Sequence, residues 1–155
     1  MNVHAHTQPS LPIRAFDAVL RALNGVPLSA LQLLMRVGVG SVFFNAGLIK
    51  YRSWEVTLLL FRDEYRVPLF DHALMARIAT FNELVFSTLL FLGLATRLAT
   101  LPFLGMIVII QSFVYPNAWI EHLVWASILL FLLARGGGVL AVDHLIARRF
   151  GLTHR

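Results

Sequence analysis

Residues 28–50 read LSALQLLMRVGVGSVFFNAGLIK, an apolar run interrupted by two cations, Arg36 and Lys50. Its apolar part, Leu28 to Ile49, reaches the ~20 residues that a helix needs to cross a bilayer. On a helical wheel Arg36, Gly40, Phe43, Gly47 and Lys50 fall within about 80° of one another, a single narrow stripe. An arginine at the centre of a spanning helix costs about 2.5–3.5 kcal/mol on insertion scales, so it needs compensation. Gly40 and Gly47 on the same stripe allow a neighbouring helix to approach closely. The stripe is therefore expected to face other helices, with Arg36 inward and Lys50 at the rim. The plainer alternative is that Arg36 snorkels to the nearer headgroups.

Three more apolar blocks follow, at about His72–Leu94, Leu98–Tyr115 and Trp119–Ala134. Ala95-Thr96-Arg97 and Pro116-Asn117-Ala118 are short enough to force antiparallel neighbours. The expected fold is thus an all-α membrane protein, an antiparallel bundle of four transmembrane helices over residues 28–135. Amphipathic segments flank it. Residues 1–27 contain a short amphipathic helix from Ile13 to Leu23, broken by Asn24-Gly25-Val26-Pro27. Residues 136–155 carry another, Val139 to Phe150, after Gly136-Gly137-Gly138. The 50–71 connection is long, and its Trp54, Leu58, Phe61, Tyr65 spacing marks an amphipathic stretch lying on the outer surface.

Composition agrees with this reading. Of 155 residues, 58% are hydrophobic and 14% charged, with a net charge of +5. A soluble domain has about 25% charged residues, so a soluble globular enzyme is not expected. The cations form no stripe of the kind that binds nucleic acid, and none is expected as a partner. They fall unevenly across the connections. Arg14, Arg21, Arg97, Arg135, Arg148, Arg149 and Arg155 lie on one side, and Lys50, Arg52, Arg62 and Arg66 on the other. The cation-rich side is cytoplasmic by the positive-inside rule, which puts both termini in the cytoplasm. The chain has no cysteine, which excludes disulfides, iron–sulfur clusters and thiol redox chemistry. No catalytic triad order, phosphate-binding glycine loop, haem-ligating histidine pair or metal site is recognisable.

Two polar clusters stand out within the apolar blocks. Glu83 lies near the middle of the second, beside Asn82, and Arg36 is its expected counter-ion. The pair would either pin two helices together or belong to a proton or quinone-headgroup site. Nearer the outer face, Lys50, Gln111, Tyr115, Glu121 and His122 form the second cluster, in which His122 is able to exchange a proton near neutral pH. Glu121 and His122 diverge by 100° on a helix and do not readily chelate one ion. His4 and His6 form a weaker pair still.

From Leu31 to Ala147 the chain resembles the DoxX family of small bacterial four-helix membrane proteins. The resemblance rests on the Arg36, Gly40, Gly47, Lys50 stripe, on Glu83-Leu84 followed by Leu92-Gly93-Leu94-Ala95-Thr96-Arg97, and on the run from Ala134 through Gly136 to Asp143. Gly137 stands where the family commonly has Pro, and Ala141 where it has Ser. Gly93, Arg97, Gly136 and Asp143 are the matched motif positions. The resemblance implies a bacterial inner-membrane protein associated with redox or stress-response systems, since the family takes its name from a subunit linked to a thiosulfate:quinone oxidoreductase. Three functions follow as expectations. One is an accessory or anchoring subunit without its own catalysis, acting with protein partners or as a homo-oligomer. Another is a quinone-interacting component of an oxidoreductase. The third is a small transporter or metal/thiol-stress factor using the outer cluster.

Overall fold

The computed structural model describes residues 11–68 and 70–151. The His4/His6 pair and Arg155 lie outside these residues. Among the described residues seven helices run in chain order: α1 Leu11–Asn24, α2 Leu28–Arg52, α3 Trp54–Leu60, α4 His72–Leu92, α5 Thr96–Ile109, α6 Trp119–Arg135 and α7 Val142–Arg149. Two of them end in a turn of π-helix, α3 at Phe61–Tyr65 and α5 at Ile110–Val114. The helical pattern thus matches the expected blocks with shifted ends. The first block runs three residues further, through Lys50 to Arg52, and α7 starts only at Val142, after the irregular glycine run, a turn at Val139-Leu140 and a bend at Ala141.

The helix ends have local causes. Asp71 caps α4, its carboxylate accepting from the Leu74 N–H at 2.9 Å. At the other end of α4, Gly93 takes the left-handed conformation (φ +68°). Its N–H bonds the Leu90 carbonyl and the Leu94 N–H bonds that of Leu89, the paired closure that glycine permits at a helix C-terminus.

One apolar core is shared by α2, α4, α5 and α6. It contains Val39 and Phe43, Leu90, Ala99, Phe103 and Ile107, and Leu129 and Leu132. Phe43 stacks on Phe103 with ring centres 4.3 Å apart, and Trp125 meets Phe43 edge-on. The outward surface is also apolar: Leu34 on α2 and Leu98 on α5 are about two-thirds exposed (67% and 66%). Such a surface suits lipid, not water. In lipid the hydrophobic effect no longer drives helices together, and close packing of small residues does more of the work. A methyl group at Gly40 would meet the Phe91 ring, and one at Gly47 would meet the Glu83 Cβ, both at 2.8 Å. α2 and α4 therefore touch backbone-close at two points seven residues apart.

Among the described residues three helical stretches are long and apolar enough to cross a membrane: Leu28–Arg52, His72–Leu92 and Thr96–Val114. The fourth expected span, α6, has 17 residues, about 25 Å at 1.5 Å per residue. α1 buries none of its residues, with Leu11, Phe16 and Leu23 among its most exposed apolar side chains.

The glycine contacts give a direct test. Gly47→Val overpacks the α2–α4 contact and should lower stability by about 1–3 kcal/mol. Gly38→Ala, where an added methyl meets nothing within 4 Å, should leave the thermal midpoint unchanged or slightly raised. Thermal unfolding in detergent, followed by circular dichroism, compares the two variants.

Candidate functional site

The stripe on α2 is buried as expected, and it extends one turn further back, through Gln32, Arg36, Gly40, Phe43 and Gly47. Arg36 is fully buried (0% exposed). Its partner is not Glu83. Arg36 Nη2 donates to the Leu140 carbonyl at 2.7 Å and Nη1 to the Leu90 carbonyl at 3.3 Å. The Leu90 carbonyl belongs to the last turn of α4, where the helix dipole favours a cation. Gln32 joins the same contact by donating from Nε2 to the Gly136 carbonyl at 2.9 Å. The expected Arg36–Glu83 pair fails on register. Gly40 lies against Phe91 and Gly47 against Leu84, so α2 and α4 run in opposite directions. Continued backwards, the same register puts Arg36 level with the α4–α5 turn. Glu83 sits beside Gly47, about 16 Å along α2 from Arg36.

Asp143 completes this end of the molecule. Its carboxylate accepts from the Ala95 N–H at 2.6 Å and the Thr96 N–H at 2.8 Å, while its own N–H donates to the Gly93 carbonyl at 3.0 Å. Asp143 therefore caps α5 from another helix, placing an anion at a helix N-terminus. It also holds Ala95 in the left-handed conformation (φ +48°), which costs a non-glycine residue roughly 1–2 kcal/mol. Gly93 is required here for space as well as angle, since a methyl group on it would meet Arg36 Nη1 and Ala141. The motif positions Gly93 and Asp143 thus converge on one latch with Arg36, and a side chain on Gly136 would meet Arg97. Arg36 Nε and Thr96 Oγ1 are buried there without a hydrogen-bond partner among the described residues.

Glu83 is claimed by Lys50. The ammonium Nζ lies 2.7 Å from Oε1 and 2.9 Å from Oε2, with side chains 14% and 4% exposed. The pair borders a cavity of about 250 Å³ between α4, α5 and the two π-turns. Its wall is otherwise mostly apolar, from Phe61, Met75, Ile78, Met106, Ile109 and Val114, with Asn82, Tyr65 and Tyr115 the other polar side chains. π-turns are often found at functional sites, and here both line the same space. The rings meet edge to face, Tyr65 and Tyr115 at 5.8 Å and Phe61 and Tyr65 at 4.9 Å. Tyr115 also donates to Glu64 Oε1 at 2.9 Å. Burial, and then the neighbouring Tyr115 hydroxyl, hold the Tyr65 phenol above its ordinary range, so at neutral pH it is a protonated donor. An ammonium has three N–H donors. Glu83 takes two of those on Lys50, and one remains for an acceptor.

The expected outer cluster divides. Lys50 belongs to Glu83, and Tyr115 to the cavity. Gln111 and His122 form a pair of their own, with Nδ1 2.7 Å from Oε1. Since a carbonyl oxygen only accepts, the His122 Nδ1 carries the proton. The Gln111 amide nitrogen donates to the Pro116 carbonyl, and Glu121 is exposed and apart. Among the described residues no three metal-ligating side chains cluster. Sequence reasoning missed Gln32, although its place four residues before Arg36 put it on the same stripe. It also read Tyr65 only as part of an amphipathic face.

The latch makes a quantitative prediction. Asp143→Ala removes two acceptors from the start of α5 and should cost about 2 kcal/mol. Asp143→Asn keeps one and should cost roughly half as much. Equilibrium unfolding in mixed micelles measures both, and wild-type stability in each would show that the cap contributes nothing.

Comparison with known proteins agrees with the resemblance seen in the motifs. Residues 31–116, from the start of the α2 stripe through α5 and its π-turn, match the DoxX family. No curated protein and no solved structure matches the chain. The match covers more than half of the sequence and includes Arg36, Gly40, Gly47, Lys50, Glu83 and Gly93, the residues on which the α2–α4 contact is built. The chain belongs to the DoxX family.

Proposed function

We propose that this DoxX protein is an accessory component of a redox or stress-response complex in the bacterial inner membrane, and that its cavity receives the ring of a quinone. The observation that carries this reading is the Lys50–Glu83 pair at the edge of an otherwise mostly apolar cavity. A binding site for a small amphipathic molecule needs mostly apolar walls and a few fixed polar groups. A volume of about 250 Å³ exceeds the ~150 Å³ that suffices for a benzene ring. The residues present suit a ring bearing carbonyl oxygens, because Lys50, Asn82 and the neutral Tyr65 phenol all offer donors. When bound, a quinone supplies the two-electron, two-proton chemistry that this cysteine-free chain lacks. The chain's own part is to hold the ring, to exclude water around it and to keep a charged pair beside it.

The topology that goes with this reading has four membrane-spanning helices, α6 included, packed antiparallel within residues 28–135. Both termini are cytoplasmic, by the cation count. α1 and α7 then lie on the cytoplasmic surface, and α3 with its π-turn caps the bundle at the opposite face. The exposed Arg62–Asp63 pair supports an aqueous or headgroup position for that cap. The Gln111–His122 pair is already satisfied, and nothing in its surroundings favours the transporter reading.

The experiment is a binding measurement on purified full-length protein, using a short-chain ubiquinone analogue and thermal shift. Gly105 lines the cavity, and an added methyl there meets nothing within 4 Å. Gly105→Leu should therefore fill the space without disrupting the fold, and weaken binding by about tenfold or more, equivalent to about 1.4 kcal/mol. Undiminished binding in a folded Gly105→Leu variant would rule this cavity out.

A further inference from the structure

A second concavity lies on another face of the molecule, between the end of α2, the start of α3 and the first half of α4. It is an open groove of about 820 Å³. We infer that this groove is a binding site for an anionic phospholipid, with Arg52 and Arg77 holding the phosphate and the α4 surface beyond them holding an acyl chain. Both arginines line the groove and both are exposed. Among the described residues neither lies within salt-bridge distance of a carboxylate. No acidic side chain lines the groove. The two cations are therefore unneutralised by the protein, and an arginine fork matches phosphate oxygens in geometry as well as charge.

The arrangement along α4 selects a lipid over a soluble anion. Phe81 and Val85 follow Arg77 at intervals of four residues, so they lie on the same face, about 6 and 12 Å further along the helix. Phe81 is 58% exposed, which leaves a large apolar surface directly beyond the cation. Tyr51 and Trp54, next to Arg52 along the chain, also line the groove, and amphipathic rings of this kind settle at headgroup level. A cationic, aromatic-edged end that leads into an apolar furrow has the polarity order of a phospholipid. A free phosphate would use only its first few ångströms. The ring cavity bordered by Lys50 and Glu83 shares no lining residue with this groove, so the two sites stand or fall separately.

The test uses the full chain in detergent micelles, titrated with phosphatidylglycerol, with phosphatidylcholine and with inorganic phosphate, while thermal unfolding is recorded. Phosphatidylglycerol should raise the midpoint saturably and phosphatidylcholine should not. The double variant Arg52→Gln/Arg77→Gln should unfold as wild type without lipid and bind phosphatidylglycerol roughly tenfold more weakly. A second readout needs no charge variant. Phosphatidylglycerol brominated on its acyl chains, present as a minor component in phosphatidylcholine, should quench a fluorescence component that Trp54→Phe removes. Brominated phosphatidylcholine at the same fraction should quench it less. Equal effects of the two lipids in both assays would overturn the proposal, as would undiminished lipid binding by the double variant. An equal midpoint shift with millimolar inorganic phosphate, competing with lipid, would also overturn it by showing a site for free anions.

Discussion

Two cations fourteen residues apart on one stripe of α2 must both be neutralised at depths where water is scarce. Along a helix that separation is about 21 Å, too far for one partner to serve both. The structure meets the requirement in two different ways. Arg36 is held by carbonyl oxygens at the end where α4 finishes and α7 begins, so its charge is spread over the helix terminus and the Leu140 turn. Lys50 takes the carboxylate, Glu83, at the other end. The remaining packing follows from these choices. Gly40 and Gly47 bring α4 close enough for both contacts, and the chain reverses at Gly93 and Ala95 so that Arg36 and Asp143 can reach the turn.

The difference between the two solutions has a chemical consequence. Arg36 and Asp143 are enclosed by backbone groups that fix their positions, which makes that end a mechanical latch between α2, the α4–α5 turn and α7. The Lys50–Glu83 pair instead borders an apolar cavity and keeps one donor uncommitted. A charged pair in such a setting is a doubtful source of stability, because desolvation offsets much of the attraction. Its position beside a ring-sized space, with two phenols and an amide in the same wall, is what the proposed quinone site rests on. The proposed ligand site therefore lies at the α3 end, and the hydrogen-bonded latch at the α7 end.

The helices were legible in the sequence because apolar block length and turn residues leave few alternatives. Pro27, the 116–118 connection and the Gly136–Gly138 run each fall between helices, as expected, whereas of the 95–97 connection only Ala95 does, because α5 already starts at Thr96. The α2 stripe was legible for the same reason, since a 3.6-residue repeat places Arg36, the glycines and Lys50 together whatever surrounds them. What the sequence could not supply was the register between α2 and α4. The two candidate carboxylate–cation pairings differ by a slide of several turns, and the slide is fixed by which side chains the two glycines accept. Leu140 was invisible as a partner because a backbone carbonyl leaves no mark in residue identity. The cavity was hidden because it depends on two π-turns, each of which rotates the last residues of its helix away from the position that a regular repeat assigns.

Glu83 answers Lys50 and not Arg36, and paired double-mutant cycles measure that directly. Lys50→Met, Glu83→Leu and the double variant form one cycle, and Arg36→Met with Glu83→Leu the other, all read as unfolding free energies in the same micelles. Loss of one member of a buried pair should cost about 3–5 kcal/mol. The Lys50/Glu83 double variant should recover much of that loss, whereas the Arg36 and Glu83 losses should add to within about 0.5 kcal/mol, as for residues more than 10 Å apart. Strong coupling between Arg36 and Glu83, with simple additivity between Lys50 and Glu83, would contradict the register of α2 on α4 and everything built upon it.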